Sequence, residues 1–185
     1  MTPSMHPFDQ LISTFSASDF RATRMDERWS SDITYLWTRQ GWLFLAVVMD
    51  LFSRRIVGWS MNKLINRHLV IDALAMALGQ RDKPQLHHSD RGSQYTSDDF
   101  RDMLKKHGID CSMSGRGNCY DNAPVESFFS SLKRERVRRQ TYKTRDEAKA
   151  DIFDYIECFY NRERRHSTLG YISPVEFENR SVGLN

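Results

Sequence analysis

Eight consecutive apolar residues, Trp42 to Met49 in "WLFLAVVMD", constrain the fold more than any other stretch of this chain. A run this short falls well under the roughly 20 residues of a membrane span. Rich in β-branched and aromatic side chains and without polar alternation, it reads as a strand buried on both faces, so packed layers must lie on either side of its sheet. "DITYLWT", from Asp32 to Thr38, precedes it across "RQG", and "RIVGWSM" follows it across "LFSR". Three strands joined by loops of this length form an antiparallel meander.

Asn66 is placed to cap a helix whose apolar positions run through Leu69, Leu74, Met76 and Leu78 to Gly79, a candidate C′ glycine. "PQLHHSD" supplies a fourth strand. Thr96 or Ser97 caps the next helix, which runs through Lys106 and ends at Gly108, and "IDCSMS" is a fifth short strand. Two helices follow, one from about Ala123 and one from Thr144 to about Tyr160. The order βββαβαβαα predicts an α/β domain with a mixed five-stranded sheet flanked by helices, the ribonuclease-H-like arrangement. Such a sheet sets its first and fourth strands side by side, bringing Asp32 and Asp90 together.

At 185 residues the chain is one domain, long enough to bury a core without crosslinks. Cys111, Cys119 and Cys158 are odd in number and lack CxxC spacing, which argues against a disulfide framework or a thiolate zinc site. Residues 1 to 24 are rich in Ser and Thr, show no sustained period and have no secretion-signal pattern. A flexible arm is expected there, then a core from 25 to 180 and a tail from 181 to 185, in a cytoplasmic protein. The net charge is only +3, but Lys133, Arg134, Arg136, Arg138, Arg139, Lys143 and Arg145 cluster against one acid, Glu135, and "NRERRH" follows. That pattern suits either a solvated face or a phosphate-backbone binder.

Asp32, Asp90 and Glu126 each have an ordinary local explanation: a strand start, an Asx turn before "RGSQY", and a carboxylate at the positive end of a helix. Jointly they indicate more. Carboxylates converging from separate elements repel unless a hard divalent cation neutralises them. Two such ions can stabilise the attacking and leaving oxygens of an in-line phosphoryl displacement. On the last of these helices, Val125, Phe129 and Leu132 form one stripe, and Glu126, Ser130 and Lys133 form an adjacent one. Lys133 would then either reach a phosphate beside the metal or stand solvated.

Thirty-five residues separate Asp90 from Glu126, and Lys133 lies seven beyond the glutamate. This spacing resembles the aspartate, aspartate, glutamate signature of retroviral integrases and related transposases. The strings "DERWSSDITYLWTRQGWLFLAVVMDLFSRRIVGWSM", "LHHSDRGSQYTS", "MSGRGNCYDNAPVESFFSSLKRE" and "FYNRERRHSTLGYISPVEF" resemble the catalytic portion of second-frame transposases of the third bacterial insertion-sequence family. The resemblance implies a core that cleaves DNA at the element's ends and uses the freed 3′-hydroxyl for strand transfer. It implies two Mg²⁺ or Mn²⁺ ions held by Asp32, Asp90 and Glu126, double-stranded DNA as partner, and a homo-oligomer when active. Relatives carry a helix-turn-helix region ahead of the core that "MTPSMHPFDQLISTFSASDFRATRM" does not match. A non-catalytic chain that binds DNA or inhibits a longer transposase, and a nuclease on the same fold, therefore remain alternative readings.

His87 and His88 alternate across a strand and cannot both join Asp90 on one ion, which favours structural roles. In the turn after Asp90, Arg91 and Gln94 suit either DNA contacts or packing. The loop "GRGNCYDNAP" carries Arg116 and is expected to order on DNA, with Asp121 or Asn122 capping the following helix. Arg134, Arg164 and Arg165 are further candidates for backbone contacts. Asp50 also ends a strand, but the resemblance places the first acid at "DITY" and leaves Asp50 as a turn residue pairing with Arg54 or Arg55.

Overall fold

A computed structural model describes residues 21–113 and 122–183. The meander is formed by β1 (Arg28–Thr38), β2 (Gly41–Asp50) and β3 (Ile56–Asn62). Helix α1 (Arg67–Gln80) crosses to β4 (Leu86–Ser89), and α2 (Asp98–His107) crosses to β5 (Asp110–Met113). The strands lie in the order β3-β2-β1-β4-β5, the first three antiparallel and the last two parallel to β1. Helices α3 (Ala123–Glu135), α4 (Arg145–Phe153) and α5 (Pro174–Ser181) complete the chain.

The apolar run does what its composition predicts. Leu43, Leu45, Val47 and Met49 enter a core with α3 and α4, while Ala46 and Val48 enter a second core with α1 and α2. Alternating side chains of one central strand thus serve two layers. Gly58 lets α1 lie close on β3, because a Cβ there would fall 2.2 Å from the carbonyl oxygen of Ala73.

Local signals place most helix ends. Asn66 and Thr144 accept from the backbone N–H groups of Leu69 and Glu147, and Gly108 ends α2 in the left-handed region at φ 63°. Gly79 does not serve as a C′ residue: α1 runs one residue further and is closed by Arg81 in extended conformation. The helix expected from Thr144 to Tyr160 widens into a π-helix over Asp154–Tyr160. In an α-helix Tyr155 and Tyr160 would point about 140° apart. The wider turn lets both, with Ile156, pack against Phe128 of α3.

Helix α5, absent from the sequence expectation, is fastened by Glu178. Its carboxylate accepts from Ser53 Oγ at 2.8 Å, from Arg55 at 2.7 Å and from both terminal nitrogens of Arg81 at 2.9 Å. Asp50 is the turn residue expected of it: its N–H donates to the Arg55 carbonyl at 2.9 Å and its carbonyl accepts from the Arg54 N–H at 2.8 Å, while its carboxylate has other partners. It accepts N–H bonds from Asp26, Phe52 and Ser53, and its nearest cation is Arg81 at 3.8 Å. Among the described residues no helix is long and apolar enough to cross a membrane.

Candidate active site

Strand β1 begins at Arg28, so Asp32 is the fifth residue of an eleven-residue strand and not its opening residue. Its antiparallel partner is Val47, in the middle of the apolar run. On the other side β1 runs parallel to β4 in the register Trp29↔His87 and Ser30↔His88. Two residues beyond the Ser30↔His88 pair stand Asp32, within β1, and Asp90, just past the end of β4, so the two neighbouring strands direct both carboxylates to the same level of the sheet.

The Asp32 carboxylate accepts the N–H of Ile33 at 2.7 Å. Burial pushes its pKa up to about 6, and the negative charges of Asp90 and Glu126 push in the same direction. The Ile33 N–H and the Lys133 ammonium oppose the rise. The three acids and Lys133 therefore form one electrostatic cluster. Among the described residues no three His, Cys, Asp or Glu side chains are already drawn into a ligand cage.

Asp90 is exposed just past β4, and its Oδ1 accepts the N–H of Gly92 at 2.8 Å, closing an Asx turn. Glycine leaves room for these side chains: a Cβ on Gly92 would lie 2.9 Å from Asp90 Oδ1 and 3.0 Å from Gln94 Oε1, and both would have to shift. Glu126 is exposed in the first turn of α3, whose opposite stripe buries Val125, Phe128, Phe129 and Leu132. Lys133 is half-buried, its Nζ 5.1 Å from the centre of the Tyr35 ring, a cation–π contact that steadies the ammonium beside the acids.

What fixes α3 against the sheet is Asn122. It stands at the N-cap position but makes no side-chain capping bond, contrary to the sequence expectation. Its Oδ1 instead accepts from Ser30 Oγ at 2.7 Å, and its Nδ2 donates to the Ser31 carbonyl at 3.3 Å. The tie joins the residues just before Asp32 to the residue just before α3. Asp121, the other expected cap, lies outside the described residues, as does Arg116.

His87 and His88 are both buried and both engaged. His87 Nε2 pairs with Ser31 Oγ at 2.7 Å, and His88 Nδ1 with Ser112 Oγ at 3.0 Å. Burial, with a smaller effect from His88, pushes the His87 pKa down to about 3 and keeps the ring neutral. Arg91 and Arg165 are exposed, and Gln94 is half-buried near Asp90. Arg134 is exposed and 3.5 Å from Glu135. Arg164 differs from the other candidates: its guanidinium is drawn inward, bonding both oxygens of Glu135 and Ser131 Oγ.

The chain is similar to known proteins. The sequence profile described as "Integrase core domain" matches residues 22–119, and a second profile of the same description matches residues 126–182. The chain belongs to the integrase core family. Transposase InsF for insertion sequence IS3A of Escherichia coli K12 is 50% identical over 166 residues, covering 89% of this chain and 58% of that protein. An uncharacterized 31 kDa protein of insertion element IS600 from Shigella sonnei is 45% identical over 163 residues, 87% of this chain and 60% of that one. The chain thus spans about three-fifths of the curated relatives it matches.

Solved integrases share the ribonuclease-H-like fold at low identity. The HTLV-2 integrase catalytic core domain, in its dimeric form with magnesium, superimposes with TM-score 0.65 at 17% identity, covering 85% of this chain and 99% of that one. A chain of the simian T-cell lymphotropic virus intasome in complex with PP2A regulatory subunit B56 gamma gives TM-score 0.71 at 17% identity, covering 85% of this chain and 56% of that one.

Around the candidate site of this integrase core stand Ser30, Tyr35 and Tyr95, which the sequence reading leaves out, and Asn122, which it names only as a cap. Asn122 and Ser30 position α3, and Tyr35 carries Lys133. Fully buried Tyr95 has its pKa raised well above the usual phenol value by burial and by the charges of Asp32 and Asp90, so it stays a neutral phenol beneath the acids. None of these roles has a signal in the linear sequence, because each depends on contacts between elements far apart in the chain.

Proposed function

We propose that this chain is the catalytic core of a DNA transposase that joins a 3′-hydroxyl DNA end to a target strand by Mg²⁺- or Mn²⁺-dependent phosphoryl transfer. The observation that carries the proposal is the electrostatic convergence of Asp90 and Glu126 on the half-buried, mid-strand Asp32. A carboxylate held where its own charge is disfavoured suits a cation. The all-oxygen donor set fits a hard divalent ion, and the neighbouring histidines are already engaged with serines. Asp32, Asp90 and Glu126 would hold two ions, which when bound stabilise charge on the attacking and leaving oxygens. The HTLV-2 neighbour with magnesium and the transposase names of the relatives support this reading.

The protein's own part is position and charge. Asp32 is rigid within the sheet, the Gly92 N–H orients Asp90, and the Asn122 tie sets the first turn of α3 and with it Glu126. Lys133 neutralises a phosphate beside the acids. Exposed Arg91, Arg134 and Arg165, with Gln94, contact the DNA backbone, and copies of the chain assemble to hold two DNA ends.

The test is to incubate the purified chain with a pre-cleaved end duplex from its own element, a target plasmid and Mg²⁺ or Mn²⁺, alongside Asp90→Asn. Joint products made by the wild type and lost in the variant are expected. Nicking without joining would replace the proposal with a nuclease, and neither product would defeat it for this chain alone. Inhibition of a longer relative's joining, with no joining of its own, would mark the chain as a regulator.

A further inference from the structure

A pocket of about 250 Å³ opens beside the N-terminal half of α3, lined in part by Arg54, Ser127, Tyr160, Arg164, His166 and Thr168. Ser127 follows Glu126 directly and points about 100° around the helix from it, so the pocket borders the acid cluster without being part of it. No carboxylate lines the pocket; two arginines, a histidine and four hydroxyl-bearing residues, Ser127, Ser131, Tyr160 and Thr168, do.

Two polar groups at this place lack partners. Arg164 is compensated by Glu135. Arg54 has no ion-pair partner among the described residues, and its Nη1 is buried with no hydrogen bond. His166 Nε2 is likewise buried and unpartnered. The Asp50 charge acts on Arg54 without forming an ion pair with it; a guanidinium withdrawn from water with an unbonded N–H is costly, and an anion bonded to it relieves that cost.

The position is also built. Arg54 occupies the left-handed region at φ 63°, a conformation unfavourable for a residue with a long side chain. It is pinned there by its N–H, which donates to the Asp50 carbonyl at 2.8 Å, and by its carbonyl, which accepts from the Tyr160 hydroxyl at 3.1 Å. His166 stands edge-on to the same Tyr160 ring at 4.9 Å. A guanidinium N–H, an imidazole nitrogen able to donate in one tautomer, and serine and threonine hydroxyls around one space match the several acceptor oxygens of a tetrahedral phosphate. The first turn of α3, which forms one wall, adds its positive end.

We propose that this pocket is a phosphate-binding subsite and that, on the DNA reading above, it holds a backbone phosphodiester of the strand that passes the acid cluster. Arg54 and His166 are its principal donors, with Ser127 and Thr168 at its wall.

The test uses the wild-type chain, Arg54→Gln, which removes the charge, and Ser127→Glu, which brings a carboxylate to the pocket from an exposed helix position. Circular dichroism establishes that each variant is folded, and Ser127→Glu carries the test if Arg54→Gln is not. In the first arm, inorganic phosphate replaces chloride at constant ionic strength, and the melting temperature of the wild type rises by about 2–4 °C. Both variants lose that rise.

In the second arm, binding to an end duplex is measured across a salt series. Each variant binds about tenfold more weakly, and the slope of log affinity against log salt shrinks by about 0.9, the value for one lost phosphate contact. Phosphate stabilisation that is lost in the variants while the DNA slope is unchanged would support the subsite and overturn its assignment to backbone DNA. No effect in either arm would overturn the proposal. If the wild type fails to bind DNA, the transposase reading falls, and the phosphate arm still decides the pocket.

Discussion

Replacing Asn122 with alanine separates a helix cap from a structural tie. Loss of an ordinary cap costs about 1 kcal/mol. The structure gives Asn122 two buried hydrogen bonds to β1, at 2.7 Å from Ser30 Oγ and 3.3 Å to the Ser31 carbonyl, and no capping bond. At about 1 kcal/mol net each, their loss amounts to about 2 kcal/mol. The buried Ser30 hydroxyl is then left with only the His88 carbonyl at 3.5 Å, which adds about 1 kcal/mol more. Urea unfolding of Asn122→Ala should therefore show a loss of about 3 kcal/mol. Combined with Ser30→Ala, which removes the shared bond and the orphaned hydroxyl together, the double-mutant cycle should give a coupling of about 2 kcal/mol. Because the tie sets the first turn of α3, joining by the folded variant should fall about 10- to 100-fold. A loss near 1 kcal/mol with no coupling to Ser30 would refute the tie and restore the cap.

Further outcomes follow from the same geometry. Gly58→Ala should destabilise the fold by about 3 kcal/mol or more in the same unfolding assay, because its Cβ meets the backbone of α1 at 2.2 Å. Glu178 has its pKa lowered by bonds to Arg81, Arg55 and Ser53 against the opposing effect of burial. The stability it contributes is present above the unfolded value of 4.5 and is lost as pH falls through the lower folded value. An acid titration of stability should accordingly fall more steeply below pH 4.5 in the wild type than in Glu178→Gln. Asp32 has the opposite sign: a pKa raised to about 6 means that its ionisation destabilises the metal-free fold as pH rises from the unfolded value of 3.8 through 6. Asp32→Asn should abolish joining yet melt higher than the metal-free wild type at pH 8, by the equivalent of about 1–3 kcal/mol.

Much of the fold is legible locally. The apolar run of β2, the short meander loops and the caps at Asn66, Gly108 and Thr144 act within a few residues, so composition and spacing reveal them. The start of β1 is not legible, because "RWSS" looks polar. Ser30 and Ser31 are buried only because Asn122 and His87 reach them from 92 and 56 positions away. The π-helical turn answers to the packing of Tyr155 and Tyr160 on Phe128, and helix α5 to Glu178 meeting Arg55 and Arg81. At the site, the residue types and the 35-residue spacing single out the acids, whereas their supports depend on strand register. Arg164 shows the reverse: its basic neighbourhood suggests an outward contact, and Glu135 draws it inward.

The central claim is that Asp32, Asp90 and Glu126 act together as one divalent-cation site. Binding of Mn²⁺ to the chain with a DNA end duplex, followed by the loss of the free-ion paramagnetic resonance signal, tests it most directly. The account predicts saturable binding by the wild type that weakens at least tenfold in each of Asp32→Asn, Asp90→Asn and Glu126→Gln. Equal Mn²⁺ binding by the wild type and all three variants would contradict it.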